Sequence, residues 1–461
     1  MTPPEDRRTV AQHVDAALAL VAPLPVVEHD LDAALGRVLA SDVVSLLDSP
    51  ASDSSAMDGY AVRTADVRGA TPTDPVTLRV VADVPAGGPG GPAGVDGGPG
   101  AAGPRIGPGE AARIMTGAVV PAGADAVVPV EETSTGRFVP GSPASPDSWT
   151  GTVTLPVAGR GGARRTHVRA RGEDVRRGDV VLGSGTRLSA RHVSVAASAG
   201  YATLPVHREP RVAVVSTGSE LVAAGTVPGP GMLPDSNSVL VAAAARSLGA
   251  HVVRRGAVGD TVQALGVALD EVLSGAWPDG AVAPPDLVVT TGGVSAGAFD
   301  VVRGLLDPAT RAGTPWADAV TDAQLVAVGM QPGKPQGLAR WRGVPWLALP
   351  GNPVSAFVSF ELFVRPVVDR LRGCPEPRRA LVTRVAGEGW ASPPGREQLV
   401  LVRHAGPDDA RVVLARPVQR GREGSGSHRL SALAVADAVA VVPADVTALA
   451  EGDAVRVLLL D

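Results

Sequence analysis

The sequence RVAVVSTGSE, residues 211–220, begins the part of the chain that decides its fold class. From Arg211 onward, apolar runs typical of buried strands alternate with stretches whose apolar residues recur every three or four positions, as on one helix face. The predicted elements are a strand at 211–217, a helix at 237–249, a strand at 251–258, a helix at 261–273 and a strand at 286–293. This alternation predicts an α/β domain with a doubly wound parallel sheet.

The segments that follow extend this domain and then change character. PWLALPGN at 345–352 predicts another strand, and the next helix is expected to begin with Pro353 in its first turn. Beyond Cys374, short runs of alternating apolar and polar residues predict a small antiparallel β-domain.

The N-terminal half contains two expected helices and two expected loops. Apolar residues at helical spacing follow a candidate cap at Thr9, and Asp30 is a candidate cap for a second helix ending near Leu39. The Gly/Pro-rich segments 85–104 and 139–151 cannot form a regular helix or a central strand, so they predict loop extensions, and the first is expected to be mobile.

Length and composition limit the class of protein. A chain of 461 residues with 44% apolar residues is expected to form about three domains. A net charge of -5 and only 3% aromatic residues argue against nucleic-acid binding, because no general basic field or set of stacking platforms is present. The single cysteine, Cys374, excludes an intrachain disulfide. Without a secretory h-region or a long apolar span, we expect a soluble, cytoplasmic protein that does not bind membranes.

One lysine, Lys334, stands in MQPGKPQG (330–337), although Lys and Arg together number 42. Lysine is a compact point charge, whereas arginine is a broad planar fork, so a position that keeps lysine predicts a tight anion site. The alternative is that one surface lysine has survived by chance. The only two asparagines, Asn237 and Asn352, also fall beside expected strand ends.

Further polar and glycine residues follow the predicted strands, where α/β sheets bind ligands. Gly292 and Gly293 would let the backbone approach an anion closely, and Ser295 would add a hydroxyl. Added to these glycines and to Lys334, Asp235 and Asp260 would make a carboxylate pair beside an anion site, the arrangement that holds Mg²⁺ against a phosphate. Asp235 could instead only cap the helix that it precedes.

Two motifs of the N-terminal half also retain rare residues. SAMDGYAVR (55–63) contains one of two tyrosines, and RIMTGA (113–118) contains an isoleucine. Spacing alone does not assign a role to Asp58 or Thr116, which could be turn or cap residues.

Taken together, the motifs of the whole chain resemble those of the molybdopterin molybdenumtransferase family, bacterial relatives of the gephyrin E domain. The motifs that carry the resemblance, in chain order, are SAMDGYAVR, RIMTGA, RGED, STGSEL, PDSN, TTGGVSAG with Asp300, PGKP, LPGNPVSA and GSGSH. The resemblance implies a homodimer whose subunits have four parts. These are a discontinuous N-terminal domain (1–50 and 155–206), an inserted β-rich lobe (51–154), a central domain similar to molybdopterin adenylyltransferase (207–373) and a C-terminal β-barrel (374–461).

The implied reaction inserts molybdate into adenylated molybdopterin, releases AMP and forms molybdenum cofactor, with Mg²⁺ bound by Asp235 and Asp260. The implied catalytic residues are Asp58, Thr116, Asp260 and Lys334. The implied substrate-binding residues are Gly218, Glu220, Asn237, Gly292, Gly293, Ser295, Asp300, Asn352, Ser427 and His428. Other proteins of molybdenum-cofactor biosynthesis are possible partners.

The sequence departs from the family pattern at three places. Gln331 stands where many members have lysine, Thr261 replaces a second acidic residue, and SDS at 52–54 replaces FDN. Two alternatives therefore stay open, namely a molybdopterin adenylyltransferase and a non-catalytic scaffold of gephyrin type. The four-part length argues against the first, and the retained Asp58 and Lys334 argue against the second.

Overall fold

The computed structural model describes residues 7–87, 104–138, 151–156, 166–278, 280–294, 300–406, 409–416 and 430–460. The chain divides into two compact units, one made of Met1–Ser41, Ser184–Ser189 and Thr203–Asp461, the other of Asp42–Gly183 and Ala190–Ala202. The four-part division expected from the family stays a prediction. Within the described ranges, no helix combines the length and the apolar character needed to cross a bilayer.

A six-stranded sheet forms the centre of the first unit. Its strands are β1 Arg211–Thr217, β2 His251–Val258, β3 Leu287–Thr291, β4 Val320–Ala327, β5 Pro335–Trp341 and β6 Val344–Leu349. They lie in the order β2-β1-β3-β6-β5-β4. The pairs β1–β2, β1–β3 and β3–β6 are parallel, which confirms the predicted sheet.

One strand of this sheet, β5, runs antiparallel to both of its neighbours, β6 and β4, which the sequence analysis did not predict. The cause is the two-residue turn between β5 and β6. Arg342 and Gly343 both have positive φ, 47° and 85°, the backbone of a type I′ hairpin turn. So short a connection can join only antiparallel strands.

Helices cover both faces of the sheet. The main ones in this unit are α1 Val10–Leu18, α2 Ser236–Ser247, α3 Val262–Leu273, α4 Val301–Leu306, α5 Pro353–Ser359 and α6 Arg365–Leu371. Val214 packs in one apolar cluster with Val241 of α2, whereas the next residue, Val215, packs in another with Leu265 of α3. Because successive strand side chains point to opposite faces, both faces are buried, and a doubly wound sheet is confirmed.

The predicted helix after Pro353 contains a π-helical turn. Between α5 and α6, residues Phe360–Val364 form this turn, in which Phe360 and Phe363 are each 1% exposed. Pro353 occupies the first turn of α5, as predicted. Single π turns inside helices insert an extra residue and shift the side chains that follow.

The C-terminal residues form a closed barrel. Its strands are β7 Val382–Ala386, β8 Glu397–His404, β9 Arg411–Leu414, β10 Ala438–Val442 and β11 Ala454–Leu459. Pairing of β8 with β10 closes the ring, which confirms the expected β-barrel. The expectation of a purely antiparallel domain is wrong, because β7 and β9 pair in parallel. An odd number of strands cannot alternate in direction all the way around a closed ring.

One further strand attaches the barrel to the loop that precedes Lys334. Met330–Gln331 pairs in parallel with the start of β8, with Gln331 opposite Gln398. The amide of Glu397 also donates to the carbonyl of Gly329, at 2.8 Å. The Lys334 loop therefore lies between the central sheet and the barrel.

The second unit is β-rich. Its main sheet has the order Ala126–Pro129, Gly59–Val62, Glu110–Ile114, Val76–Val84 and Thr152–Leu155. Smaller pairs join Val43–Val44 to Val180–Leu182 and Ser54–Ser55 to Val168–Arg169, and its helices are Thr64–Val67 and Ala190–Ser198. Tyr60, from the SAMDGYAVR motif, is fully buried in its core.

One N-terminal expectation is confirmed and another is wrong. Thr9 and Gln12 form a capping box at the start of α1. The second helix, Leu31–Ala34, is much shorter than predicted, and the Asp30 side chain makes no capping bond. The chain leaves helical geometry at Leu35, whose ψ is 130°, and Gly36 follows at φ 79°.

Acid should destabilise the protein through His13 of α1. Its side chain is 1% exposed and stands edge-on to Phe363, and burial, assisted by Arg8, lowers the pKa of His13 from 6.5 to about 3. Above pH 6.5 the folded and unfolded states both hold neutral His13. As pH falls below 6.5, His13 is protonated in the unfolded state but stays neutral in the folded state, so the free energy of unfolding falls.

Between pH 6.5 and 4.5, we expect His13 to account for about 2 kcal/mol of lost unfolding free energy. The measurement is denaturant unfolding across this range for wild type and His13→Leu. The wild-type curve should fall more steeply than that of the variant. Parallel curves would contradict a buried neutral histidine.

Candidate active site

A cavity of 1720 Å³ lies at the carboxyl ends of the parallel strands, within the first unit. The loops after β1, β2, β3 and β6 reach it, as the topology of open α/β sheets requires. The predicted site residues that line it are Gly218, Glu220, Asp235, Asn237, Asp260, Gly292, Gly293, Asp300, Lys334 and Asn352. Segments far apart in the sequence thus contribute to one site.

The turn after β3 is packed too closely for side chains. A Cβ on Gly292 would lie 2.5 Å from the carbonyl oxygen of Thr217, and one on Gly351 would lie 3.4 Å from Cα of Gly292. The Gly292 amide donates to Leu349 at 3.0 Å. Gly292 therefore shapes the turn, whereas the amide of Gly293 has no recorded partner within the described residues and stays a candidate donor to an anion.

Asp235 is the N-cap of α2, which confirms the capping role left open by the sequence. Its carboxylate accepts from the Ser238 amide at 3.0 Å and from the hydroxyls of Ser216 and Ser238, both at 2.5 Å. The residue is only 2% exposed. These bonds use most of its acceptor capacity.

Asp260 is more accessible and less occupied. Its Oδ2 accepts from the Ser219 amide at 2.7 Å, and its own amide donates to the Ser219 hydroxyl at 3.1 Å. This reciprocal pair ties the loop after β1 to the end of β2 and leaves Oδ1 without a recorded bond. The neighbouring Thr261 caps α3 by accepting from the Ala264 amide.

Glu220 adds a second carboxylate near the same strand ends. A Cβ on Gly218 would lie 2.7 Å from its Oε2, so the Glu220 carboxylate folds over that glycine. Within the described ranges, no group of three or more His, Cys, Asp or Glu side chains is arranged to hold a metal ion. A cation here would therefore need oxygen atoms from substrate or water as well.

Lys334 supplies positive charge to the cavity that Glu220 and Asp260 also line. Its side chain lines the cavity, and its carbonyl accepts from the Val328 amide at 2.8 Å. The other described cation of the lining, Arg416, pairs with Glu388 at 2.8 Å. Within the described residues, the Lys334 ammonium has no recorded hydrogen bond or ion pair, as expected of a group that binds a ligand.

One of the two asparagines holds neighbouring turns together. Asn237 Nδ2 donates to the Gly351 carbonyl at 2.6 Å. Asn352 is the N-cap residue of α5 without a side-chain capping bond, and its carbonyl accepts from Ala356 at 2.8 Å. The first turn of α2 is thus joined to the turn that packs against Gly292.

Asp58 and Thr116 come together in the second unit. Asp58 Oδ1 accepts from both the amide and the hydroxyl of Thr116, at 2.7 and 2.8 Å. The bond from the Thr116 amide, and to a lesser extent the bond from its hydroxyl, lowers the pKa of Asp58 below its usual value, although the carboxylate is fully exposed. The pairing stabilises an exposed turn and leaves the second carboxylate oxygen without a recorded partner.

Three predicted site residues, Ser295, Ser427 and His428, lie outside the described residues. So does most of the Gly/Pro-rich segment 85–104 and of the segment 139–151. The expectations attached to them stay predictions.

The structure also adds residues that sequence reasoning missed. The buried hydroxyls of Thr217 and Thr291 line the cavity and have no partner within the described residues. Both threonines end central strands, a position that could have marked them. Trp390, Gln398 and Arg416 reach the cavity from the barrel, for which no local signal exists.

Comparison with protein families assigns successive regions of the chain. Residues 8–200 match the MoeA N-terminal region (domain I and II), 213–370 a probable molybdopterin binding domain, and 383–460 the MoeA C-terminal region (domain IV). Molybdopterin molybdenumtransferase 2 of Mycobacterium tuberculosis is 39% identical over 98% of both chains. The chain belongs to the molybdopterin molybdenumtransferase family. The resemblance inferred from the motifs is thereby confirmed.

Other members of the molybdopterin molybdenumtransferase family agree. The proteins from a Nostoc species and from Bacillus subtilis are 33% and 30% identical over 94% and 93% of this chain, covering 88% and 89% of their own lengths. A molybdopterin biosynthesis MoeA protein from Pyrococcus horikoshii superposes with a TM-score of 0.74 at 25% identity, over 98% of this chain and 99% of its own. The shared fold thus extends over nearly the full length.

The hydrogen bonds predict different consequences for the two aspartates. Asp235→Ala removes a cap and leaves two buried serine hydroxyls without their acceptor, so it should lower the unfolding free energy by about 2–4 kcal/mol. Asp260→Ala, at a more exposed position, should lower it by about 1 kcal/mol or less. Denaturant unfolding without divalent cations measures both. Equal losses would contradict the structural role of Asp235.

Proposed function

We propose that this protein is a Mg²⁺-dependent molybdopterin molybdenumtransferase that inserts molybdate into adenylated molybdopterin, releasing AMP and forming molybdenum cofactor. The observation that carries the proposal is Lys334, whose ammonium has no recorded partner among the described residues, in a cavity whose lining includes the carboxylates of Glu220, Asp235, Asp260 and Asp300. Substrate phosphates and molybdate are anions, and a chain of net charge -5 must bind them through local charges and backbone donors. Its membership of the family and the full-length coverage support the same function.

Three parts of the cavity would act on the substrate. Lys334 would neutralise charge on the phosphate or on molybdate, since a lysine is a compact cation. The Gly293 amide would donate to a phosphate oxygen at the strand edge. The bond from Asn237 to the Gly351 carbonyl keeps the turns around that edge in place, so the donors need little rearrangement when substrate binds.

The residues present fit a magnesium ion if Asp260 is its main protein ligand. Oδ1 of Asp260 carries no recorded bond, and Mg²⁺ is commonly held by one or two carboxylates with phosphate and water completing its shell. Asp235, the other ligand expected from the sequence, would have to share oxygens already bonded to serines. Bound Mg²⁺ would offset the charge that builds up on the departing AMP.

The homodimer is part of the proposal. In it, Asp58 and Thr116 of one subunit would complete the cavity of the partner, on the molybdate or dithiolene side. The Asp58 oxygen without a recorded partner is suited to a polar contact. A cytoplasmic location and contacts with other proteins of cofactor biosynthesis belong to the same proposal.

The decisive assay is AMP release from the purified pterin adenylate after addition of molybdate and Mg²⁺. Asp260→Asn keeps the side-chain shape but removes the charge that holds a hard cation, so turnover should fall by roughly a hundredfold and lose its magnesium titration. Unaltered turnover and magnesium dependence would overturn the metal assignment.

The same assay separates the two alternative functions. Adenylate formation from ATP and molybdopterin without molybdate would indicate an adenylyltransferase. Wild type that binds the adenylate but never releases AMP would indicate a scaffold.

Lys334→Arg tests the need for a compact cation. Positive charge is retained, but a planar fork replaces the ammonium, so turnover should fall by roughly a hundredfold while the melting temperature moves by about 2 °C or less. Arg411→Lys is the matched control, because Arg411 forms an exposed ion pair with Asp409 in the barrel and does not line the cavity. Full turnover of Lys334→Arg would contradict the compact-anion role.

A further inference from the structure

The loop that carries Lys334 is fixed at both ends. On one side, the Val328 amide donates to the Lys334 carbonyl and Gln331 pairs with the barrel. On the other, Pro335 begins β5, so the chain enters the central sheet directly after the lysine. What remains to be held is the tip of the loop, Pro332 and Gly333.

Gln336, the second residue of β5, holds that tip by a hydrogen bond. Its Nε2 donates to the Gly333 carbonyl at 2.7 Å and to the Ser359 hydroxyl at 2.7 Å. Gln336 is 1% exposed and Ser359 is fully buried. A carbonyl only accepts hydrogen bonds, so this position requires a side chain with a donor.

The backbone at Gly333 makes this contact possible. Its φ is 101°, and a Cβ there would lie 3.2 Å from Ser359 Oγ and 3.1 Å from Met330 Cε. Ser359 is the last residue of α5, immediately before the π-helical turn Phe360–Val364. The position of the Gly333 carbonyl is therefore set by Gln336, which is itself held by Ser359 at the end of α5.

We propose that Gln336 is a positioning residue that fixes the ammonium of Lys334 in the cavity through the Gly333 carbonyl. It does not line the cavity, so it acts through the loop and not on the ligand. The inference rests on the proposed function only in taking Lys334 as the anion-binding group. The loop position itself can be measured without any turnover.

Because Lys334 is the only lysine, ¹³C reductive methylation gives one lysine signal in an NMR spectrum, and methylation keeps the charge. Lys334→Arg identifies that signal by its loss and separates it from the N-terminal amine. Gln336→Met, which removes both hydrogen bonds at similar volume, should move the signal toward that of a solvent-exposed lysine. It should also reduce the shift that AMP with Mg²⁺ produces. Gln324→Met, the same change on neighbouring β4, should leave the signal in place.

A double-mutant cycle tests whether Gln336 acts through Lys334. Gln336→Met should lower kcat/KM for AMP release by roughly tenfold in wild type, but by less than about twofold in Lys334→Ala. Ser359→Ala, which leaves the Gly333 bond, should have a smaller effect than Gln336→Met. Equal losses in both backgrounds, or an unmoved Lys334 signal in Gln336→Met, would overturn the proposal.

The outcomes distinguish this inference from the proposed function. If wild type releases no AMP while Gln336→Met still moves the Lys334 signal, the function fails and the positioning role stands. If wild type is active and the Lys334 signal does not move in Gln336→Met, the proposed function stands and the positioning role fails. If Gln336→Met unfolds, which its melting curve shows, Gln336→Glu carries the comparison of signals, because it keeps the side-chain shape but replaces the amide donor by a carboxylate.

Discussion

Five strands of the central sheet, all except β5, run in the same direction, so their carboxyl ends all meet at one edge. This constraint places the loops after β1, β2, β3 and β6 around one cavity. It also makes the edge crowded, since a Cβ on Gly292 would lie 2.5 Å from the Thr217 carbonyl. Glycine at this turn follows from that crowding. The site is the consequence of strand direction combined with close backbone approach.

Electrostatics then determines what the cavity can bind. Its described lining brings four carboxylates together with Lys334 and Arg416, and Arg416 is already paired with Glu388. A dianionic phosphate or oxyanion would be repelled by such a lining unless a divalent cation and the lysine offset the charge. Lys334 and the accessible Asp260 are therefore complementary in the proposed function, since the first supplies positive charge and the second would recruit it by binding a cation. Gln331 in the same loop carries no charge, so Lys334 is the one lysine that can act there.

Pairing between the barrel and the Lys334 loop gives the C-terminal region a direct part in the site. Met330–Gln331 extends the barrel sheet, and Trp390 and Gln398 line the cavity from the barrel side. The barrel thus supports one side of the loop, while Gln336 and the end of α5 support the other. A lysine held from two sides loses less freedom on binding an anion, which is the physical advantage of placing it between two domains.

The sequence by itself determined the central α/β domain, the barrel and the family, because apolar periodicity, turn residues and motif order are local properties. It also identified Lys334 and the strand-end residues of the cavity, since carboxyl ends of parallel strands converge whatever the details of packing. It could not show that the Asp235 carboxylate accepts hydrogen bonds from Ser216 and Ser238, whereas one carboxylate oxygen of Asp260 has no recorded bond. Nor could it show that β5 runs antiparallel to β6 and β4, or that Gln336 reaches Gly333 and Ser359. Those outcomes depend on distances between residues remote in the chain, and only the folded packing sets them.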